Sequence, residues 1–69
     1  MEIEVFKTNI KKKNDARQII QKLNSLFPEL KVNFDLDDCD KILRVEGGNI
    51  SVDQITYFIC QIGFQCNPL

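Results

Sequence analysis

LKVNFDLDDCDKILRVE, residues 30–46, alternates on both sides of an acidic cluster. Val32, Phe34 and Leu36 interleave with Lys31, Asn33 and Asp35. After Asp37-Asp38-Cys39-Asp40 a second run follows, Lys41-Ile42-Leu43-Arg44-Val45-Glu46. A period of two sends successive side chains to opposite faces, so the stretch predicts a β-hairpin with one apolar face and an acidic turn. Two strands alone are marginally stable in water, and the apolar face must be covered by the segments on either side.

Upstream, residues 2–8 alternate with Ile3 and Val5 on one side and Glu2, Glu4 and Phe6 on the other, which predicts a first strand. The loop at residues 7–13, KTNIKKK, leads to a helix expected to begin at Asn14 as N-cap, with Asp15 favourable in the first turn. Ala16, Ile19, Ile20, Leu23, Leu26 and Phe27 recur at helical spacing and form its expected buried stripe. Pro28 disfavours helical geometry at Phe27 and sets the end. Downstream of the hairpin, Gly47-Gly48-Asn49 reads as a turn, and Ser51 with Gln54 fits a capping box stapled by Ile50 and Ile55. Val52, Ile55, Ile59 and Ile62, flanked by Phe58, make the stripe of this second helix. Gly63 fits the left-handed position past its end, with Phe64 folding back on Ile59. Residues 64–67 are expected to form a short edge strand.

The order βαββα, with a short final β, predicts an α+β fold in a single domain, residues 1–69: a ferredoxin-like split βαβ sandwich with both helices on one face of an antiparallel sheet. Following the chain up and down brings the loop at 8–13, the hairpin turn at 35–40 and the turn at 63–66 to one end of the molecule. If Ile3 and Val5 face the helices, Phe6 points from the open face beside Ile42 and Arg44, and these three residues form an expected interaction surface. The outer strand of the hairpin, Lys31 to Leu36, offers a second surface, an edge able to pair with an incoming strand, although its lysine and aspartates blunt that edge.

Nine basic and ten acidic residues leave a formal charge of -1, without the positive field that gathers nucleic acid. The start lacks the pattern of a signal peptide and no run reaches membrane-spanning length, so a cytoplasmic protein with neither membrane nor nucleic-acid partner is expected. Cys39, Cys60 and Cys66 form no CxxC pair, and their odd number suits free thiols in a reducing compartment. There is no histidine, hence no Ser-His or Cys-His nucleophile pair, and a non-catalytic protein without cofactors is expected.

The strand at 3–8, the helix pattern Ala16-x-x-Ile19-Ile20-x-x-Leu23, the strands Val32-Asn33-Phe34-Asp35-Leu36 and 42–45, and the closing Ile59-x-x-Ile62-Gly63-Phe64 together resemble the heavy-metal-associated domain family. The resemblance spans nearly the whole chain but consists mainly of core periodicity. In that family the first loop carries Met-x-Cys-x-x-Cys, whose thiolates bind a soft ion such as copper(I). The matching positions here are about Asn9 and Lys12, neither able to replace a thiolate, so the resemblance implies the fold without its metal site.

The resulting expectation is a protein-interaction or adaptor module with an unknown protein partner, weak homodimerisation being a second use of the same surface. Two alternatives stand beside it. Cys39 and Cys66 fall at the same predicted end and would suit metal trafficking; against this, Cys66 also reads as a small apolar residue and Cys39 as an incidental turn residue among aspartates. Lys11, Lys12 and Lys13 precede a helix N-terminus and would suit an anion or small-ligand sensor, or else form a solvated loop. An EF-hand-like count of Asp35, Asp37 and Glu46 lacks the glycine at its sixth position, where Asp40 stands. RNA-recognition domains share the topology, but here Phe6 is alone on its strand and residues 41–46 contain no aromatic.

Overall fold

The computed structural model describes all 69 residues. The chain forms β1 (Glu2–Thr8), α1 (Lys13–Leu26), β2 (Lys31–Asp35), β3 (Ile42–Gly47), α2 (Val52–Gln61) and β4 (Cys66–Pro68). The strands make one antiparallel sheet in the order β2-β3-β1-β4, an arrangement compatible with a ferredoxin-like sandwich. The hairpin lies where the alternation puts it, with Val32 opposite Val45 and Phe34 opposite Leu43.

Both helices pack on the same face of the sheet. Ala16, Ile19 and Leu23 of α1 and Ile55 and Ile59 of α2 share one buried cluster with Phe6, Val32, Leu43, Val45 and Cys66. The registers explain which strand residues face them. Phe6 is opposite Leu43 and Thr8 opposite Cys66, so residues 4, 6 and 8 of β1 face the helices and residues 3, 5 and 7 face away.

This reverses the expected phase of β1 and removes Phe6 from the open-face surface. Phe6 is fully buried, whereas Ile3 is 51% exposed and Val5 half-buried. The physical reason is volume: one phenylalanine at the centre of the sheet fills more core than Ile3 at the strand's start. Thr8 contributes as well. On this phase its hydroxyl is buried, donating to the Lys41 carbonyl and accepting from the Ile10 amide at 3.2 Å.

Two further expectations are corrected in α1. It starts at Lys13, with Lys12 rather than Asn14 in the N-cap position and no side-chain cap. Leu26 is 57% exposed, because the helix ends there and the chain turns at Phe27, whose amide bonds the Leu23 carbonyl at 2.7 Å. The ends of α2 follow the sequence more closely. Ser51 Oγ accepts from the Gln54 amide at 3.3 Å. Past the other end, Gly63 adopts φ +102°, the Phe64 amide bonds the Ile59 carbonyl at 3.2 Å and the Gly63 amide bonds that of Cys60 at 3.1 Å, completing a Schellman motif. No helix is long and apolar enough to cross a membrane.

Candidate interaction surface

Three loops converge at one end of the sheet, as the topology requires. The Thr8 amide bonds the Asp40 carbonyl at 3.1 Å, and Lys7 Nζ lies 3.7 Å from Asp40 Oδ1. Asn9 Oδ1 accepts from the Gln65 amide at 2.8 Å and ties the first loop to the turn after α2. The hairpin turn is closed from within: Asp38 Oδ1 accepts from the Asp40 amide at 2.8 Å, Lys41 takes a left-handed φ of 49°, and Lys41 Nζ donates to the Leu36 carbonyl at 2.9 Å. The role of Lys41 was legible only as a basic residue; its backbone conformation carried no sequence signal, since glycine or asparagine is the usual occupant.

The thiols stand apart in environment. Cys66 is buried on the helix-facing side of β4, near Thr56 and Cys60 of α2. Burial pushes its pKa up to about 11, the neighbouring Cys60 adds to the shift, and the Thr56 hydroxyl opposes it. A thiol held so firmly protonated is a poor ligand and a poor nucleophile at neutral pH. Cys39 is exposed on the turn, where its sulfur and one carboxylate oxygen each of Asp38 and Asp40 lie within 4.8 Å of one another. That set is a surface turn with one Asp38 oxygen already used by the backbone, and a single thiol between carboxylates suits a soft cation badly. The ligands expected for metal trafficking, Cys39 and Cys66, are therefore divided between a solvated turn and the core. The EF-hand-like count is not assembled either: Asp35 pairs with Ile42 at one end of the hairpin, while Glu46 pairs with Lys31 at the other.

Lys11, Lys12 and Lys13 are all exposed at the start of α1. The buried polar side chain beside them, Thr8, is already bonded to the Lys41 carbonyl and the Ile10 amide, so no unpartnered buried group joins the three lysines.

The open face of the sheet has more to offer. Ile3 pairs with Glu46, Val5 with Arg44 and Lys7 with Ile42, which places all six on the side away from the helices. Leu69 continues the β4 line, its amide bonding the Val5 carbonyl at 2.9 Å, and is 71% exposed. Ile3, Val5, Ile42 and Leu69 thus form an apolar strip across β1, β3 and the end of β4, with cross-strand and diagonal neighbours in contact range. Arg44 stands in it, its guanidinium 3.8 Å from Glu46 Oε1 and more than half exposed. Of the surface residues anticipated from the sequence, Ile42 and Arg44 belong here, and Ile3 and Val5 replace Phe6.

A second feature runs along β2. Ala16, Ile20, Phe34 and Leu36 floor an open groove of about 500 Å³ between α1 and this edge, flanked by Lys13 and Arg17 on one side and Asp35 and Asp37 on the other. No family model, no curated protein and no solved structure matches the chain.

Proposed function

We propose that the chain is a non-catalytic protein-interaction module, a ferredoxin-like sandwich resembling the heavy-metal-associated domain with its ion-binding loop turned to structural use. The observation that carries this reading is the uncovered sheet face, where Ile3, Val5, Ile42 and Leu69 stand together while Phe6, Val32, Leu43 and Val45 are buried under the helices. An apolar strip beside a weakly held arginine suits a partner presenting aliphatic or aromatic side chains and one carboxylate for Arg44. The loop chemistry agrees. Asn9, at one of the family's thiolate positions, is engaged with the Gln65 amide, and Lys12, at the other, is an exposed cation. The non-catalytic part of this reading rests on the chain having no histidine to serve as a base and on its one core thiol being kept protonated. A cytoplasmic location goes with this reading, because exposed thiols such as Cys39 and Cys60 persist in reducing surroundings.

The test is an Ile3→Asp/Ile42→Asp double variant, compared with a Tyr57→Asp control on the exposed side of α2. Both should keep the wild-type circular dichroism spectrum. The double variant should lose the partner that wild-type protein and the control retain on affinity capture from the native host. Equal capture by all three, or loss of capture in the control alone, contradicts the reading. Tight one-to-one binding of copper(I) to the reduced protein, abolished by Cys39→Ser or Cys66→Ser, would favour metal trafficking instead.

A further inference from the structure

We propose that two copies of this chain associate edge to edge through β2, in an antiparallel pairing centred on Asn33. The two outer strands of the sheet are unlike each other. β4 has three residues and includes Pro68, which cannot donate to a ladder, whereas β2 has five residues, no proline and no element beyond it in the sheet. An edge of that kind is commonly protected by charge. Here the charges are arranged so that they protect against most partners but invite a copy of the same strand.

Lys31-Val32-Asn33-Phe34-Asp35 is self-complementary when run antiparallel to itself. With Asn33 on the two-fold axis, Lys31 of each copy lies opposite Asp35 of the other, on the open face of the sheet where both are exposed. On the helix-facing side, Val32 lies opposite Phe34 of the second copy, an aliphatic–aromatic pair repeated by symmetry. The next pair outward is Leu30 opposite Leu36. Phe34 and Leu36 are only half-buried within one chain, and they floor the groove between β2 and α1. A second copy would set its own Val32 and Leu30 opposite Phe34 and Leu36 at the mouth of that groove and cover this apolar surface. A shift of the register by one residue would send the apolar set to the wrong face, and a shift by two would break the Lys31–Asp35 pairs. The product is a continuous eight-stranded sheet whose two open faces lie side by side, so each dimer would present the apolar strip twice. This pairing does not depend on the interaction role proposed above.

Sedimentation equilibrium over a wide concentration range gives the test. The wild type should show a monomer–dimer equilibrium. Lys31→Asp places Asp opposite Asp35 twice per dimer, and Asp35→Lys places Lys opposite Lys31 twice. Each variant alone should therefore weaken the dimer by roughly tenfold or more. An equimolar mixture of the two variants should restore it as a heterodimer, because each then meets an opposite charge at both ends of the strand. Restoration cannot arise from a folding defect in either variant. In a Cys39→Ser/Cys60→Ser background, Asn33→Cys should cross-link rapidly under mild oxidation, since residues on the axis lie ~4.5–5.5 Å apart between α-carbons. A wild type that stays monomeric at every concentration overturns the proposal. So does a dimer that neither charge variant weakens, or one that the mixture fails to restore.

Discussion

The two faces of this sheet carry similar residues and do different things with them. The covered face sets Phe6, Leu43 and Val45 against Ile19, Leu23, Ile55 and Ile59, all essentially inaccessible to water. The open face sets Ile3, Val5 and Ile42 among Lys7, Arg44 and Glu46, and nothing in the chain covers them. The apolar residues of the open face add little to folding, and on the reading proposed above they are the ones that meet another molecule. The covered face explains stability, and the open one is where the proposed reading places a partner.

Substitution on each face should separate these roles most sharply. Phe6→Ala removes a fully buried ring and should cost about 3–5 kcal/mol in urea unfolding, a large part of the stability of so small a domain. Ile3→Ala should cost under about 1 kcal/mol, because half of that side chain is already in water. Comparable losses from the two would erase the distinction between the faces.

Gly47 shows how tightly the covered side is built. It lies in line with Leu43 and Val45 at the end of β3, and a Cβ added there would meet Leu30 Cδ2 at 2.5 Å. Gly47→Ala should destabilise by about 1–3 kcal/mol, measured the same way, whereas Gly48→Ala next to it meets nothing within 4 Å and should change stability little.

The helices that cover that face differ at their starts, and this gives a smaller pair of effects. Ser51→Ala removes the cap of α2 and should cost about 1 kcal/mol. Lys12→Ser supplies α1 with the cap it lacks and should add up to about 1 kcal/mol, seen as a raised Tm.

Smallest at neutral pH is the effect of the buried thiol. The folded chain holds the Cys66 proton more tightly than the unfolded chain, with a pKa of about 11 against 9.0. Its contribution to stability is complete below about pH 9 and is lost as pH rises toward 11. Urea unfolding of wild type and Cys66→Ala at pH 8 and pH 10.5 should show a steeper decline for the wild type. In the same spirit, iodoacetamide at pH 8 should modify Cys39 and Cys60 well before Cys66.

Much of this architecture was legible in the chain because several local signals agreed. Alternation and the acidic turn marked the hairpin, and Ser51, Gln54, Gly63 and Phe64 marked both ends of α2. β1 departs from its expected phase because its alternation is ambiguous: Ile3 and Val5 occupy one parity and Phe6 and Thr8 the other. Counting apolar residues favours the first parity, whereas weighing their volumes, and the buried bonds of the Thr8 hydroxyl, favours the second. The parity of β1 decides the open face directly, since it places Ile3 and Val5 there in place of Phe6. The edge position of β2 follows from the topology expected of the sequence, and the strand order agrees with it; the self-complementarity of its charges matters only once that strand is seen to be the longer, proline-free edge.

The most direct test of the interaction role is site-specific photo-crosslinking in native host extract. A benzophenone side chain is introduced at Ile42 on the open face or, as control, at Tyr57 on the far side of α2. The Ile42 probe should give a discrete adduct heavier than a dimer of the chain itself, and Ile3→Asp in the same molecule should abolish it. No such adduct from Ile42, or the same adduct from both positions, would contradict the assignment of the open face.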